Sequence, residues 1–489
     1  MENYNQTVNK MRSVFMSGRT KDLAWRKTQL KALKSMIEEK REEICEVLYK
    51  DLRKNKFETR LMEVEFVLNE LVDALNALDE WAKPEKVKKT LLTMMDQAFI
   101  KSEPYGVVLI IGTWNYPIQL VISPLIGAIA AGNAVIIKPS EISENTSNFL
   151  EYTIPQYLDK ECIQVINGGV PETTALLAER FDYIFYTGNT VVAKIIAVAA
   201  AKYLTPTTME LGGKSPCYVH PDSDLDLVAK RLLWGKLLNS GQTCIAPDYV
   251  ICNKEVEPEL LKRMKATLVE FYGEDVQKSD CFSRIVNNKH FNRMKSLLSC
   301  GEVAIGGKTD EKDNYVEPTV LINVKATDPV METEVFGPIL PIFTAKDEVD
   351  AITFINSREK PLALYVFAKD KNIQKMFLEK TSSGGVCVND CLMHCSVTAL
   401  PFGGVGNSGY GAYHGKFTFD TFSHKRGCLV KKQSLEILNK IRCPPYTDRK
   451  LQITEFAIKK KLRRHSIFGL WPFVIIGAIF GLFLRFFTD

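Results

Sequence analysis

Two spacings of apolar residues divide the chain. Across residues 30–48 apolar side chains recur every three or four positions among Lys, Glu and Arg, and this pattern predicts an amphipathic helix. From about Val107 the apolar residues instead form short runs, each followed by glycine or a helix-capping residue and then by a helical stretch. Strands that alternate with helices predict a parallel sheet covered on both faces, so the expected fold class is α/β.

The predicted strands fall into two series. We divide the body of the chain into two α/β lobes near Glu210, because the second series begins near Thr207. Parallel sheets bind ligands at the carboxyl ends of their strands, so the turns at residues 138–141, 167–169 and 187–190 are candidate binding sites. The predicted strands are Val107–Ile111, 134–137, 162–166 and 183–186 in the first series, and Tyr249–Cys252, 362–367 and 385–389 in the second.

Composition narrows the class of protein. The 489 residues are 46% hydrophobic and 25% charged, which suffices for a large core and two or three lobes. The net charge of +5 is small and no long basic run with interleaved aromatic residues precedes the C-terminal end, so nucleic-acid binding is not expected. Residues 1–20 are polar and lack the apolar core of a secretory signal. We therefore expect a cytosolic body whose 12 cysteines stay reduced.

The C-terminal residues differ from the rest. Residues 467–484 carry no charge and would span roughly 27 Å as a helix, close to a bilayer core of about 30 Å. A basic cluster directly before them would hold the globular body on the cytoplasmic side of the membrane. Trp471 would suit the membrane–water interface. The sequence therefore predicts a transmembrane tail anchor. The basic cluster comprises Lys459, Lys460, Lys461, Arg463 and Arg464.

A buried C-terminal helix that closes the core or a subunit interface is the alternative to an anchor, because glycines and a proline interrupt the apolar run. Lipid tolerates such residues better, which favours the anchor. The endoplasmic reticulum is the expected membrane; more basic residues after the span would favour peroxisomes, and only Arg485 lies there. The interrupting residues are Gly469, Pro472, Gly477 and Gly481.

Several short motifs occur along the chain in order. Such a series is far more specific than one cysteine among twelve, which taken alone would be a buried structural thiol. The motifs resemble the aldehyde dehydrogenase family from about residue 5 to 430, and the short N-terminus and basic-flanked apolar tail look most like its class 3 fatty aldehyde dehydrogenases. They are TWN at 113–115, KPSE at 138–141, ELGGKSP at 210–216, GQTC at 241–244, EVFGP at 334–338 and PFGG at 401–404.

The resemblance gives three residues catalytic roles: Cys244 matches the family's nucleophile, Asn115 its side-chain oxyanion donor and Glu210 its general base. An aldehyde has no leaving group, so a thiolate must first add to its carbon, and N–H donors must stabilise the resulting oxyanion. The thioester formed later must be attacked by water, whose proton a carboxylate with a raised pKa can accept. Without the motifs, Glu210 could form a salt link and Asn115 a turn before Pro117.

The resemblance also implies a nicotinamide cofactor. Lys138 and Glu141 match groups that hold the adenosine ribose, although they could otherwise form a solvated turn. A carboxylate at Glu141 should repel a 2′-phosphate, so NAD ranks first, while Lys138 nearby leaves NADP open. The other expected cofactor-binding residues are Glu334 at the nicotinamide ribose, Phe336 beside the nicotinamide ring, and Thr187, Gly188 and Leu211.

The phosphate-binding turn departs from the usual two-glycine pattern. The strand at 183–186 and the turn TGNT at 187–190 would direct a helix N-terminus at pyrophosphate, but no G-x-G-x-x-G motif is present. Many family members carry serine in place of Asn189 and glycine in place of Ala193, so the individual phosphate contacts stay open.

A cluster of soft side chains needs separate mention. Its spacing does not match a paired C-x-x-C site, so no metal is expected. In the family this loop borders the substrate tunnel, where its soft apolar residues would suit an alkyl chain. The cluster comprises Cys387, Cys391, His394 and Cys395.

These observations predict a membrane-anchored enzyme that oxidises medium- to long-chain aliphatic aldehydes through a cysteine thiohemiacetal and thioester; the resemblance implies a homodimer. A broad-specificity or semialdehyde dehydrogenase, and a membrane-bound binding protein without turnover, are the alternatives. The expected parts are a Rossmann-type nucleotide-binding lobe (1–80 and 101–209), an α/β catalytic lobe (210–418), bridging segments (81–100 and 419–445), a basic linker (446–465) and a transmembrane tail anchor (466–485).

Overall fold

The computed structural model describes residues 4–90, 93–94, 96–433 and 436–459. The described backbone separates into two compact units, one formed by residues 4–83 and 102–426 and the other by the described residues of 84–101 and 427–459. All the candidate site residues belong to the first unit. The predicted anchor at 466–485 and the end of the basic linker lie outside the described residues.

The first half of the chain contributes nine labelled helices and seven strands within the described residues. The helices are α1 Tyr4–Met16, α2 Leu23–Glu39, α3 Arg41–Leu52, α4 Lys56–Thr59, α5 Glu65–Ala82, α6 Gln119–Ala131, α7 Glu144–Tyr157, α8 Val170–Ala178 and α9 Thr190–Ala201. The strands are β1 Glu85–Lys86, β2 Gln97–Pro104, β3 Val107–Ile111, β4 Ala134–Lys138, β5 Ile163–Val165, β6 Tyr183–Thr187 and β7 Thr207–Glu210.

The second half continues the alternation of strands and helices. The helices are α10 Leu225–Leu237, α11 Glu257–Tyr272, α12 Asn288–Leu297, α13 Pro329–Glu332, α14 Glu348–Asn356, α15 Lys371–Lys380, α16 Lys416–Thr421, α17 Glu436–Asn439 and α18 Asp448–Ile458. The strands are β8 Pro216–Val219, β9 Tyr249–Cys252, β10 Glu302–Ile305, β11 Thr309–Asp310, β12 Tyr315–Val316, β13 Thr319–Ile322, β14 Ile339–Thr344, β15 Ala363–Phe367, β16 Gly385–Val388, β17 Gly409–Tyr410 and β18 Ser423–Val430.

The first sheet has the order β17–β7–β6–β3–β4–β5 among the described strands. Strands β3 to β7 pair in parallel, and β17 joins β7 antiparallel at the edge. In register, Thr187 lies beside Glu210, and Gly409 pairs with Glu210 from the other side. The carboxyl end of β7 is thus enclosed between β6 and a strand that comes about two hundred residues later.

The second sheet has the order β10–β13–β14–β9–β8–β15–β16 in the described chain. Its strands are parallel from β13 to β16, and β10 is antiparallel to β13. Both sheets are packed into apolar cores by the helices that connect their strands. The predicted α/β class with parallel sheets is therefore confirmed.

The helix predicted at residues 30–48 is two helices. α2 ends and α3 begins around Lys40, whose backbone N–H still donates to the Met36 carbonyl. Leu33 on α2 and Ile44 on α3 are both fully buried, but α2 packs on α5, α6 and α7 whereas α3 packs on α4 and α7. Both helices contact α7, but the bend lets α2 also pack on α5 and α6 while α3 packs on α4, and apolar spacing alone does not reveal this.

A small sheet has the order β1–β2–β18, with β1 and β2 antiparallel, and the second unit contains β1 and parts of β2 and β18. Lys431 and Asp96 form an ion pair of 2.7 Å within it. α18 ends this part of the described chain and exposes Leu451, Phe456 and Ile458. No helix within the described ranges is long and apolar enough to cross a membrane.

Candidate active site

Cys244 lies on a loop that leaves the end of α10. A short turn, Leu238–Gly241, follows the helix, and Asn239 and Ser240 within it adopt left-handed backbone angles (φ 52° and 54°). Gly241 also has a positive φ of 75°, and a Cβ there would lie 2.2 Å from the Gly337 carbonyl oxygen. The GQTC motif therefore needs glycine at position 241, because a side chain there would be strained by the positive φ and would clash with the Gly337 carbonyl. The turn places Cys244 in the wall of a cavity.

The Gln242 side chain holds this loop in place. Its Nε2 donates to the carbonyl oxygens of Asn239 and Arg284, each at 3.0 Å, and its Oε1 accepts from the Val286 backbone N–H at 3.0 Å. The Asn239 N–H donates to the buried carboxylate of Glu58 at 2.6 Å. Fully bonded polar groups of this kind rigidify a loop that the left-handed residues would otherwise strain.

Asn115 follows β3 and approaches the same loop. Its Nδ2 donates to the Gln242 carbonyl at 3.0 Å, while its own carbonyl accepts from Asn239 Nδ2 at 2.8 Å and from Lys54 Nζ at 3.0 Å. The side chain is buried, and Asn115 Oδ1 has no hydrogen-bond partner among the described residues. The structure therefore brings Asn115 and the Cys244 loop together, as the sequence predicts.

The Asn115 carbonyl accepts from a buried ion pair that the motifs do not reveal. Lys54 and Glu63 are both fully buried and approach to 2.6 Å. Glu63 Oε2 also accepts from the backbone N–H groups of Ile118 at 2.9 Å and Gln119 at 3.3 Å, at the start of α6. The pair connects the N-terminal helices to both ends of the segment that carries Asn115.

Glu210 ends β7 and is buried in the same cavity wall as Cys244. Neither carboxylate oxygen has a hydrogen-bond partner within the described part of the chain, and burial raises the pKa of Glu210 well above its usual range. Burial also raises the pKa of the Cys244 thiol, and Glu334 and Glu210 add to the effect. Both shifts favour the protonated thiol and the protonated carboxylic acid over their charged forms.

The cavity beside these residues is mostly apolar. Its empty volume is about 540 Å³, including space open to solvent. Thr187, Glu210 and Leu211 line one part, next to Cys244. The rest of the wall is lined by aliphatic and aromatic side chains that include Leu120, Ile245, Leu392, Phe402 and Tyr413.

Lys138 ends β4 and joins three loops. Its buried Nζ donates to the carbonyl oxygens of Gly168 at 2.7 Å and Pro139 at 2.8 Å, and to the Glu141 carboxylate at 2.9 Å. The Glu141 side chain remains 47% exposed. Lys138 is thus buried rather than part of a solvated turn, and it fixes the orientation of a carboxylate that faces outward.

The turn after β6 adjoins Glu210. The Gly188 N–H donates to the Glu210 carbonyl at 3.0 Å, and a Cβ on Gly188 would lie 2.2 Å from the Tyr186 hydroxyl. Asn189 caps α9, because its side chain accepts from the Val192 N–H at 2.9 Å. The buried Thr187 hydroxyl has no partner among the residues described. The turn leaves this hydroxyl available to a ligand at the start of a helix.

On the opposite side, Glu334 faces the ELGGKSP segment. Its Oε1 accepts from the Gly213 N–H at 3.1 Å, and a Cβ on Gly212 would lie 2.2 Å from that oxygen. Burial, together with Asp248, raises the pKa of Glu334 to about 8. The Phe336 ring contacts the Trp114 ring edge-on at 5.4 Å. Leu211 is buried, and its N–H donates to the Ser408 carbonyl at 3.1 Å.

These features fit a dinucleotide. The unpartnered Thr187 hydroxyl and the helix that begins beside it follow β6, and the outward Glu141 carboxylate follows β4. These parallel strands lie on either side of β3, and such sheets bind nucleotides at the carboxyl ends of their strands. Glu334 interacts electrostatically with the Cys244 thiol, so this carboxyl group lies near the sulfur. A half-buried thiol, an amide donor and a buried carboxyl group next to such a site are the groups that an oxidoreductase with a cysteine nucleophile requires.

The comparisons with known proteins agree. The model of the aldehyde dehydrogenase family matches residues 1–426, and the chain belongs to that family. It is similar to aldehyde dehydrogenase family 3 member A2 of Pongo abelii, with 51% identity over 98% of both chains. It is also 51% identical to the dimeric NADP-preferring aldehyde dehydrogenase of Mus musculus, over 91% of this chain and 98% of that one.

Solved structures give the same result. A substrate-bound Staphylococcus aureus AldH structure superposes with a TM-score of 0.91 at 42% identity, over 93% of this chain and all of that one. The predictions of an aldehyde dehydrogenase with a nicotinamide cofactor, and of a likeness to class 3, are thereby confirmed.

Proposed function

We propose that this enzyme oxidises medium- to long-chain aliphatic aldehydes to carboxylates, with Cys244 as nucleophile, Asn115 as oxyanion donor and Glu210 as general base. The observation that carries the proposal is one apolar cavity lined by both Cys244 and Glu210. Family 3 relatives at about half identity over nearly the whole chain support the fatty-aldehyde class.

In the first step the Cys244 thiol releases its proton to solvent, and the resulting thiolate adds through its sulfur to the aldehyde carbon. The oxygen becomes an oxyanion, which the Asn115 amide and the Cys244 backbone N–H stabilise. A bound nicotinamide supplies the acceptor for the hydrogen and the electron pair that leave this carbon. The resulting thioester is still attached to Cys244.

In the second step water attacks the thioester, and Glu210 accepts a proton from that water. The raised pKa of Glu210 makes its carboxylate a stronger base than a solvated one, but a larger fraction of this group also carries a proton at any given pH. Loss of that proton is therefore a condition for turnover. Hydrolysis breaks the bond to Cys244 and releases the carboxylate product.

NAD is the proposed preferred cofactor. The Glu141 carboxylate follows β4 and is partly exposed, where it would accept hydrogen bonds from free ribose hydroxyls and repel a 2′-phosphate. Lys138 compensates part of that charge at 2.9 Å, so NADP is a poorer cofactor rather than an excluded one. We place Lys138, Glu141, Thr187, Gly188, Leu211, Glu334 and Phe336 at the cofactor site.

Chain length is the property that tests the substrate class. Each buried CH₂ contributes about 0.8 kcal/mol, so an apolar cavity should favour longer aldehydes. The experiment follows nicotinamide reduction with hexanal, decanal and hexadecanal in detergent, with wild type and Cys244→Ser. A kcat/KM that rises with length, and is lost in Cys244→Ser, supports the proposal. A flat or falling series favours the broad-specificity or semialdehyde dehydrogenase.

A membrane location is the second part of the proposal. The exposed Leu451, Phe456 and Ile458 of α18 and the basic cluster beyond it would suit a bilayer surface, with residues 466–485 as anchor and the endoplasmic reticulum as expected membrane. Peroxisomes are the alternative. Flotation of wild type and a variant truncated after residue 458 with vesicles tests it. Equal flotation of both proteins contradicts the anchor.

A homodimer is also proposed. Along α9 the apolar side chains of Val191, Ile195 and Val198 are 72%, 60% and 75% exposed, and Leu204 after the helix is 89% exposed. Contiguous exposed apolar residues mark interaction surfaces. Ile195→Glu should convert dimers to monomers in light scattering, whereas Lys194→Glu on the same helix should not.

A further inference from the structure

His414 is a buried polar residue that the proposed chemistry does not use. It follows Tyr413, directly before α16, and lines the cavity that contains Cys244. Its backbone φ is 82°, in the left-handed region where a non-glycine residue is strained. The His414 N–H donates to the Thr418 hydroxyl at 2.8 Å, which helps to hold this conformation.

The imidazole of His414 is 1% exposed, yet neither ring nitrogen has a hydrogen-bond partner among the described residues. Burial lowers the pKa of His414 to about 3, so the ring is neutral at physiological pH. A neutral imidazole has one N–H donor and one bare nitrogen acceptor. Both are unsatisfied here, which is costly in an apolar wall.

The neighbours of His414 are aromatic rings. The Phe402 ring stacks on it at 4.9 Å, the Phe66 ring meets it edge-on at 5.3 Å, and the Tyr413 ring lies at 4.4 Å. Such rings fix the imidazole plane but offer few hydrogen bonds. Nearby in the cavity wall, Tyr116 and Thr243 bond to each other at 2.8 Å through their hydroxyls. A partner for His414 must therefore come from whatever occupies the cavity.

We propose that His414 is a specificity-determining residue that binds a hydroxyl group on the alkyl chain of the aldehyde, which makes hydroxylated aldehydes a preferred substrate class. A hydroxyl is a small group that both donates and accepts, as a neutral imidazole does. This inference rests on the proposed oxidation at Cys244, because the aldehyde carbon must reach that sulfur while the chain passes His414.

The position of the hydroxyl along the chain provides the sharpest test. The stacked ring and the bonded backbone hold His414 at one distance from Cys244. The preference should therefore peak at one hydroxyl position and decline on either side. The measurement is kcat/KM of wild type for decanal and for hydroxydecanals substituted at each carbon from C3 to C10.

Two variants and one control accompany the series. His414→Phe keeps an aromatic ring without polar atoms, and His414→Asn keeps a donor and an acceptor on a residue that tolerates positive φ. His424→Phe makes the same substitution at an exposed histidine on β18 that does not line the cavity. At the best position the hydroxydecanal-to-decanal ratio of kcat/KM should fall about tenfold in His414→Phe, as loss of one to two hydrogen bonds implies. His414→Asn should restore part of it, and His424→Phe should leave it within about twofold.

The outcomes separate this inference from the proposed function. Oxidation of neither decanal nor its hydroxylated forms by wild type would contradict the proposed function itself. Oxidation of decanal and of the hydroxydecanals without a positional maximum would overturn only the role of His414. This outcome is measured on the wild-type protein and so does not depend on the folding of any variant. A maximum that survives His414→Phe would overturn it as well.

Discussion

Asn115 Nδ2 lies 3.0 Å from the carbonyl oxygen of Gln242, two residues before Cys244. A side-chain amide nitrogen has two hydrogens, so this bond uses one and leaves the other as a donor. The nucleophile loop therefore orients the group that is proposed to stabilise the oxyanion. Movement of the loop would misplace both groups together.

Asn115→Ala should lower kcat by a factor of about 10² to 10³, as removal of one oxyanion donor does in other enzymes. The backbone bonds to Asn239 and Lys54 would remain, because they involve the Asn115 carbonyl. Steady-state rates with decanal check this, with Asn9→Ala on exposed α1 as the control. A loss smaller than about threefold would show that the backbone N–H suffices alone.

Glu210→Gln should arrest the enzyme as a thioester on Cys244. Wild-type kcat should rise with pH, because the raised pKa of Glu210 keeps the general base protonated at low pH and its carboxylate forms only as pH increases. Rapid mixing followed by intact-mass measurement would detect the acyl adduct. A variant that turns over at the wild-type rate, with the same rise in kcat with pH, would assign the base to another group.

Glu58→Gln should stabilise the protein at neutral and alkaline pH. Burial raises the pKa of Glu58 to about 7. Between the unfolded pKa of about 4.5 and that value the folded state holds a proton that the unfolded state releases, so this residue's contribution to stability falls as pH rises. Glutamine can still accept from the Asn239 N–H without the charge.

Urea unfolding of wild type and Glu58→Gln at pH values from about 4 to 8 checks this expectation. The difference in unfolding free energy should be small at the acid end and grow to about 3 kcal/mol in favour of the variant above pH 7. Glu144→Gln on the exposed start of α7 is the control. A constant difference across the range would mean that Glu58 does not change its protonation on folding.

Glu141→Gln should shift cofactor preference toward NADP. Glutamine can still accept from Lys138 Nζ, which lies 2.9 Å from the Glu141 carboxylate, but without the negative charge the ammonium group would offer positive potential to a 2′-phosphate. The NADP-to-NAD ratio of kcat/KM should rise about tenfold, since 1.4 kcal/mol corresponds to tenfold. Glu144→Gln, three residues later, should leave the ratio unchanged. An unaltered ratio in Glu141→Gln would place the adenosine ribose elsewhere.

Much of the fold follows from local pattern. The strands Val107–Ile111 and Tyr249–Cys252 have the predicted bounds, because short apolar runs between polar turns in an α/β chain have few other solutions. Asn115, Glu210 and Cys244 were identified by motif and lie around one cavity or its loop. Their roles stay predictions, since position alone does not measure a rate.

Other parts of the site could not be predicted. Lys54, Glu58 and Glu63 lie in the polar stretch DLRKNKFETRLMEVE, whose charges are typical of a solvated helix face. Their burial depends on partners at Asn115 and Asn239, far along the chain, and single-sequence spacing carries no information on such contacts. His414 likewise belongs to no motif. Only the structure shows that aromatic rings surround its imidazole and that its ring nitrogens lack hydrogen-bond partners among the described residues.

The pairing of Gly409 with Glu210 bears on how the enzyme is made. The strand that carries the proposed base is completed by a segment synthesised about two hundred residues later, after the Cys244 loop has already left the ribosome. A growing or truncated chain that ends before residue 409 would expose the nucleophile without a finished edge at β7. Such a chain would contain both Cys244 and Glu210, but the backbone of β7 would lack its antiparallel partner.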